Sequence, residues 1–229
     1  KSYSLVTVVE PSLTSPTEPC GVLYYREIKQ SFMKLSTKEV EKKLNNNTYS
    51  VPKPGRNKGD RGQILENLIG IQNSSDLKDL IDGELKSYTI GESIAVTQLK
   101  HCLKSIIDDS VEFIDSKVYE KLQQTIYVGF TRNNEFVKSK TINEDNSPIH
   151  YKKLTEDYGY ISAHIRDAYM NGKELNTITG PNKLLQIRTK ASKSKSGQYT
   201  PLCYNGIQLK DKYMAFYLCS TFGKEIAYT

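Results

Sequence analysis

Asp79-Leu80-Ile81-Asp82-Gly83-Glu84-Leu85-Lys86 sets two acids and a lysine, Asp79, Glu84 and Lys86, around Asp82-Gly83, a dipeptide that favours tight turns. With Leu80-Ile81 before the turn and Leu85 to Tyr88 after it, the stretch predicts a short β-hairpin over 80–89. Side chains alternate along a strand, so Glu84 and Lys86 share a face, and a bend at Asp82-Gly83 folds Asp79 back beside Glu84. Two converging carboxylates with positions left open for water and phosphate offer the hard oxygen ligands that Mg2+ prefers. Such an ion would stabilise charge on a phosphodiester under attack. Lys86 would then orient the attacking water or help deprotonate it.

Upstream, Ile64, Leu65, Leu68 and Ile69 fill one arc of a helix starting at Asp60, with Gly62 near that arc and Glu66 at its edge. Packed on the hairpin, this helix would bring Glu66 to the same acids, a gathering of like charge that calls for a cation. Ser36 and Glu39 form a capping box for a helix through Leu44, and Ile28, Phe32 and Leu35 suggest an earlier helix from Arg26. Residues 1–25, with Pro11, Pro16 and Pro19, suggest an extended arm. The loop over 45–59 carries Pro52, Pro54 and Gly55 beside Lys53, Arg56 and Lys58, which makes it exposed, basic and able to meet phosphate.

Downstream, Val96 to Ile107 and Val111 to Leu122 are amphipathic, and a helix is expected to feed the β-rich run Thr125 to Phe130. Leu154 to Tyr169 predicts a helix, while Leu184 to Ile187 and Tyr213 to Leu218 predict strands joined by a long polar, basic connection. The class is α/β, a mixed sheet flanked by helices, in a single domain over 1–229.

Hydrophobic residues are 37% of the chain and no apolar run approaches the roughly 20 residues that span a bilayer, so a soluble, cytoplasmic protein without membrane contact is expected. The chain starts at Lys1, and Ser2 to Val9 has no secretory signal pattern. Cys20, Cys102, Cys203 and Cys219 lie far apart without a CxxC pair, which points to reduced thiols and away from zinc. His101, His150 and His164 have no metal-ligand spacing. Gly55-Arg56-Asn57-Lys58-Gly59 lacks the Gly-Lys-Ser/Thr ending of a phosphate loop, so no nucleotide cofactor is expected. The net charge of +6 favours an anionic partner without deciding it. Lys190, Lys193 and Lys195, interleaved with Ser192, Ser194 and Ser196, form a basic loop suited to phosphate oxygens.

The run Asn57-Lys58-Gly59-Asp60-Arg61-Gly62-Gln63-Ile64-Leu65-Glu66, followed by Asp79 and Gly83-Glu84-Leu85-Lys86, resembles the MutH family of mismatch-repair and type II restriction endonucleases. That resemblance implies a restriction-endonuclease-like PD-(D/E)xK core, with a DNA cleft between a catalytic lobe over about 26–130 and a recognition lobe over about 131–229. Asp79 and Glu84 would be Mg2+ ligands, Lys86 the catalytic lysine and Glu66 the helix-borne acid. The interval from Asp79 to Glu84 is shorter than is usual in the repair branch, which makes Asp76 a rival for the first carboxylate. Ser116 to Leu122, running into Ile126-Tyr127-Val128, is similar to the helix and strand that carry an auxiliary lysine, here Lys121. Leu185-Gln186-Ile187-Arg188-Thr189-Lys190-Ala191 and Phe216-Tyr217-Leu218 resemble the family's Arg-Pro-Lys-Ala and Phe-Tyr-Leu elements, with Thr189 in place of proline. Lys58, Arg188, Lys190, Lys193 and Tyr217 are thereby expected at double-stranded DNA, arginine and tyrosine reading bases and lysines gripping phosphates. The expected activity is a type II restriction endonuclease, monomer or weak dimer. The alternatives are a methylation-sensitive nicking enzyme of mismatch repair and a catalytically idle DNA-binding module.

Overall fold

The computed structural model describes residues 34–46, 60–71, 79–190 and 197–228. The arm over 1–25, the helix expected from Arg26, most of the basic loop with Lys58, the rival Asp76, and Lys193 with Lys195 lie outside the described residues. In chain order the elements are α1 (Thr37–Asn46), α2 (Asp60–Ile69), β1 (Glu84–Thr89), β2 (Ile94–Gln98), α3 (Leu103–Ile107), α4 (Lys117–Leu122), β3 (Gln124–Phe130), β4 (Phe136–Asn143) and α5 (Pro148–Met170). They continue with β5 (Ile178–Thr179), β6 (Leu185–Thr189), β7 (Leu202–Tyr204), β8 (Ile207–Lys210), β9 (Met214–Leu218) and α6 (Ser220–Tyr228). The architecture is mixed α and β, and among the described residues no helix is long and apolar enough to cross a membrane.

Alternation along β1 makes the first sheet a layer with a core on each face. β1 runs parallel to β3, Glu84 opposite Thr125 and Lys86 opposite Tyr127, and β3 runs antiparallel to β4. Leu85, Ile126, Val128 and Phe130 pack with Val40, Leu44, Leu65 and Ile69 from α1 and α2, while Tyr88 and Tyr127 belong to the larger second core. The second sheet has the order β2-β9-β6-β5, and Ile94, Val96, Leu185, Ile187, Phe216 and Leu218 turn into that larger core against α5. The two sheets interleave along the chain: β2 leaves the first sheet's sequence neighbourhood to border β9, and β4 returns to pair with β3.

The expected hairpin over 80–89 is not formed. β1 has a parallel partner some forty residues downstream, and Leu80 and Ile81 lie in a bend closed by the Leu80 N–H on the Gly83 carbonyl at 3.0 Å. Gly83 is required by packing rather than by turn type, because a Cβ there would collide with the Gln124 carbonyl and the Thr37 methyl. Asp82 takes up the space in front of it, accepting from the Thr37 backbone N–H at 2.7 Å, the Thr37 hydroxyl at 2.9 Å and the Gln124 amide at 3.0 Å. The bend therefore ties α1, β1 and β3 together at one point.

Other expectations hold in part. The capping box is present, with the Ser36 N–H donating to Glu39 at 2.7 Å and the Glu39 N–H donating to the Ser36 hydroxyl at 3.3 Å. α2 matches its apolar arc except for Leu68, which is 49% exposed. The amphipathic run from Val96 opens as strand β2, since Ile94 and Val96 alternate into the core, and turns helical from Leu99, first as a 3-10 turn over Leu99–His101 and then as α3. The long basic connection between β6 and β9 contains the hairpin β7–β8, turned by Asn205-Gly206 with both residues at positive φ, 46° and 78°.

Candidate active site

Three elements meet at the head of β1. The strand contributes Glu84 and Lys86 on one face, the bend before it contributes Asp79, and α4 contributes Lys121 just ahead of the neighbouring strand β3. α4 has six residues and is held at its start by Ser116, whose hydroxyl accepts the Tyr119 N–H at 3.1 Å. At its end the Thr125 hydroxyl donates to the Lys121 carbonyl at 3.1 Å and the Tyr151 hydroxyl donates to the Leu122 carbonyl. With both ends fixed, Lys121 is directed at Glu84.

Glu84 is 2% exposed, and its two oxygens are divided between the lysines: Oε1 lies 2.5 Å from Lys121 Nζ and Oε2 lies 3.0 Å from Lys86 Nζ. Burial works to raise the Glu84 carboxyl, but Lys86 and Lys121 outweigh it and hold it below the usual carboxylate range. Asp79 accepts the Leu85 N–H at 3.3 Å, which sets it beside Glu84 as the sequence suggested, although through a bend and not a hairpin. Burial first and the Glu84 charge second push the Asp79 carboxyl up. Glu66 comes from α2, which packs against β1 with Gly62 facing the Ser87 hydroxyl. Its carboxyl is raised by burial and then by Asp79, with a smaller upward push from Glu84. The structure thus brings together Glu66, Asp79, Glu84, Lys86 and Lys121.

Among the described residues no group of three or more His, Cys, Asp or Glu forms a metal cage. Glu66 is within electrostatic reach of Asp79 and Glu84. The histidines take no part: His150 pairs with Glu225 at 2.8 Å and His164 bonds the Tyr160 carbonyl.

Of the residues expected at DNA, Arg188 and Tyr217 lie on the second sheet and Lys190 directly follows β6. Ile187 turns into the core, so Gln186 and Arg188 stand on the opposite face of β6, and Tyr217 and Ala215 stand beside them on β9. The Arg188 guanidinium lies over the Tyr217 ring at 4.2 Å. Burial raises the Tyr217 hydroxyl while Arg188 opposes that shift. Lys190 is exposed just beyond β6, its N–H bonded to the Tyr213 carbonyl at 2.8 Å.

Sequence reasoning missed several neighbours of this face. Gln186 lies directly opposite Tyr217 and donates to the Ser93 hydroxyl at 3.1 Å, and Lys100 lies over the Tyr213 ring at 5.2 Å. Gln186 could have been found from its i, i+2 relation to Arg188, whereas Lys100 is more than one hundred residues from its tyrosine and carried no local signal. No protein-family model matches the chain, and no curated protein matches it in sequence.

Proposed function

We propose that this protein is a Mg2+-dependent endonuclease that hydrolyses double-stranded DNA at a short specific sequence, built on a PD-(D/E)xK core of the MutH kind. The observation that carries this reading is the meeting of Asp79, Glu84, Lys86 and Lys121, with Glu66 behind them, at the head of one strand. The donor chemistry fits the ion: two carboxylates with hard oxygens stand close enough to repel, and burial makes that repulsion costly unless a cation lies between them. Asp79 and Glu84 would hold Mg2+, which when bound supplies Lewis-acid stabilisation of the phosphodiester oxygens. Lys86, fixed against Glu84, would orient the attacking water, and Lys121 pairs the same carboxylate. Glu66 keeps the local field negative enough to attract the ion.

Arg188, held over the Tyr217 ring, is the proposed base contact, and Lys190 a phosphate contact, with Lys58 and Lys193 expected to serve phosphates as well. A type II restriction activity is favoured over a repair nickase because the Asp79-to-Glu84 interval and the Arg188-Thr189-Lys190 element both depart from the repair pattern. Incubating purified protein with plasmid and Mg2+ tests this directly. Prompt linear fragments support restriction, and slow, methylation-dependent nicking supports the repair alternative. Specific binding without any cutting would leave only the idle DNA-binding module.

Arg188→Ala is expected to lower discrimination between the cognate site and one-base variants by about 10- to 100-fold, the value of one bidentate base contact. Competition binding with variant duplexes in Ca2+ measures it. A uniform loss of affinity across all sequences would instead make Arg188 a phosphate contact.

A further inference from the structure

We propose that Lys121 is a built-in counter-cation for Glu84 which a divalent ion must displace. The identity of the ion rests on the nuclease reading above. The competition itself rests on geometry. The Glu84 carboxylate is almost wholly buried and both of its oxygens already carry an ammonium, at 2.5 Å from Lys121 and 3.0 Å from Lys86.

A dication bound to the same carboxylate would sit about 2.0–2.1 Å from an oxygen. An ammonium 2.5 Å from Oε1 would then be forced close to it, with charges of the same sign in a site where screening is weak. One lysine has to yield. Lys86 is held two residues along the same strand as Glu84, so the pleat keeps it near whatever Glu84 binds. Lys121 arrives from α4, a separate element, so its ammonium is not carried on the strand that holds Glu84.

The arrangement also offsets the burial of Glu84. A carboxylate removed from water is costly unless paired, and Lys121 supplies a partner from the chain itself. Charge bookkeeping gives the coupling its sign. Glu66, Asp79 and Glu84 against Lys86 and Lys121 leave one net negative charge, whereas adding a dication while Lys121 stayed would leave one net positive charge around a buried carboxylate. Expelling the ammonium brings the sum to zero.

The test is Mn2+ titration by calorimetry on DNA-free protein, for wild type, Lys121→Met and the charge-preserving Lys121→Arg, with thermal unfolding of each in the absence of metal. Lys121→Met should bind Mn2+ about tenfold more tightly than wild type while melting at a lower temperature without metal, and Lys121→Arg should resemble wild type in both. If Lys121→Met does not fold, Lys121→Gln serves for the same comparison. Mn2+ affinity unchanged or weakened in the neutral variants, with wild type still binding, overturns the counter-cation role and leaves the nuclease reading intact. Failure of every variant, wild type included, to bind Mn2+ removes the cation centre and this inference together.

Discussion

Lys86→Ala is expected to reduce DNA cleavage by about 10²–10⁴-fold, the range for loss of a positioned acid–base group, while specific binding in Ca2+ stays within about twofold. The division follows from position. Lys86 Nζ contacts Glu84 inside the acidic centre at 3.0 Å, whereas Arg188 and Tyr217 lie on a different sheet and Lys190 directly follows β6. The fold should survive, since Lys121 remains at 2.5 Å to pair Glu84 and the Lys86 side chain is itself 23% exposed. Lys86 also opposes the upward push on the Asp79 and Glu66 carboxyls, so its removal favours their neutral forms. Single-turnover cleavage beside gel-shift binding decides the matter. Equal loss of both activities would mean that Lys86 grips DNA instead of serving the chemistry.

The second large effect is on stability and lies away from the acidic centre. Asp157, in the middle of α5, is 0% exposed and accepts three backbone N–H groups, from Asn182 at 2.7 Å, Leu184 at 2.8 Å and Leu185 at 2.9 Å. Gly180 lies so close beneath the carboxylate that a Cβ would overlap it, so the turn between β5 and β6 is wrapped around this one side chain. Asp157→Ala removes the acceptor and strands three donors, two of them in buried surroundings, at an expected cost of about 3–5 kcal/mol. For a chain of this size that corresponds to a fall of roughly 10 °C in Tm. Urea unfolding with an unchanged slope would measure it, and a loss under about 1 kcal/mol would show that the turn is held by other contacts. Because β6 begins at Leu185, the variant should also loosen Arg188 and blunt sequence discrimination.

Neither Asp157 nor the pairing of β1 was legible in the sequence, for the same physical reason. An aspartate inside a helix looks like any solvated acid until the chain returns with backbone N–H groups from residues more than twenty positions away. Asp82-Gly83 carries the composition of a hairpin turn, but that signal cannot distinguish a glycine needed for positive φ from one needed because Gln124 presses against it. Val96, Leu99, Leu103 and Ile106 fall at helical spacing, yet the first of them lies in a strand, since Ile94 and Val96 also satisfy a period of two. Asn205-Gly206 was a readable hairpin signal that the basic character of its surroundings obscured. What local chemistry does specify came through: the Ser36–Glu39 box, the apolar arc of α2, and β3 with the helix leading into it. Of the site, Glu84 and Lys86 followed from strand alternation alone. Glu66 followed from its place at the edge of the apolar arc of α2, whereas Lys121 was singled out only by the resemblance, because nothing in its own neighbourhood announces a shared centre.

Between Thr89 and Ile94 only four residues carry the chain from the strand bearing Glu84 and Lys86 to the strand that borders Tyr217. This link is pinned at both sides of the crossing, by the Ile90 N–H on the Phe130 carbonyl and the Glu92 N–H on the Thr89 carbonyl. In the proposed reading it acts as a gauge: the offset between the base pairs being inspected and the bond being broken is fixed by covalent length, before any DNA arrives.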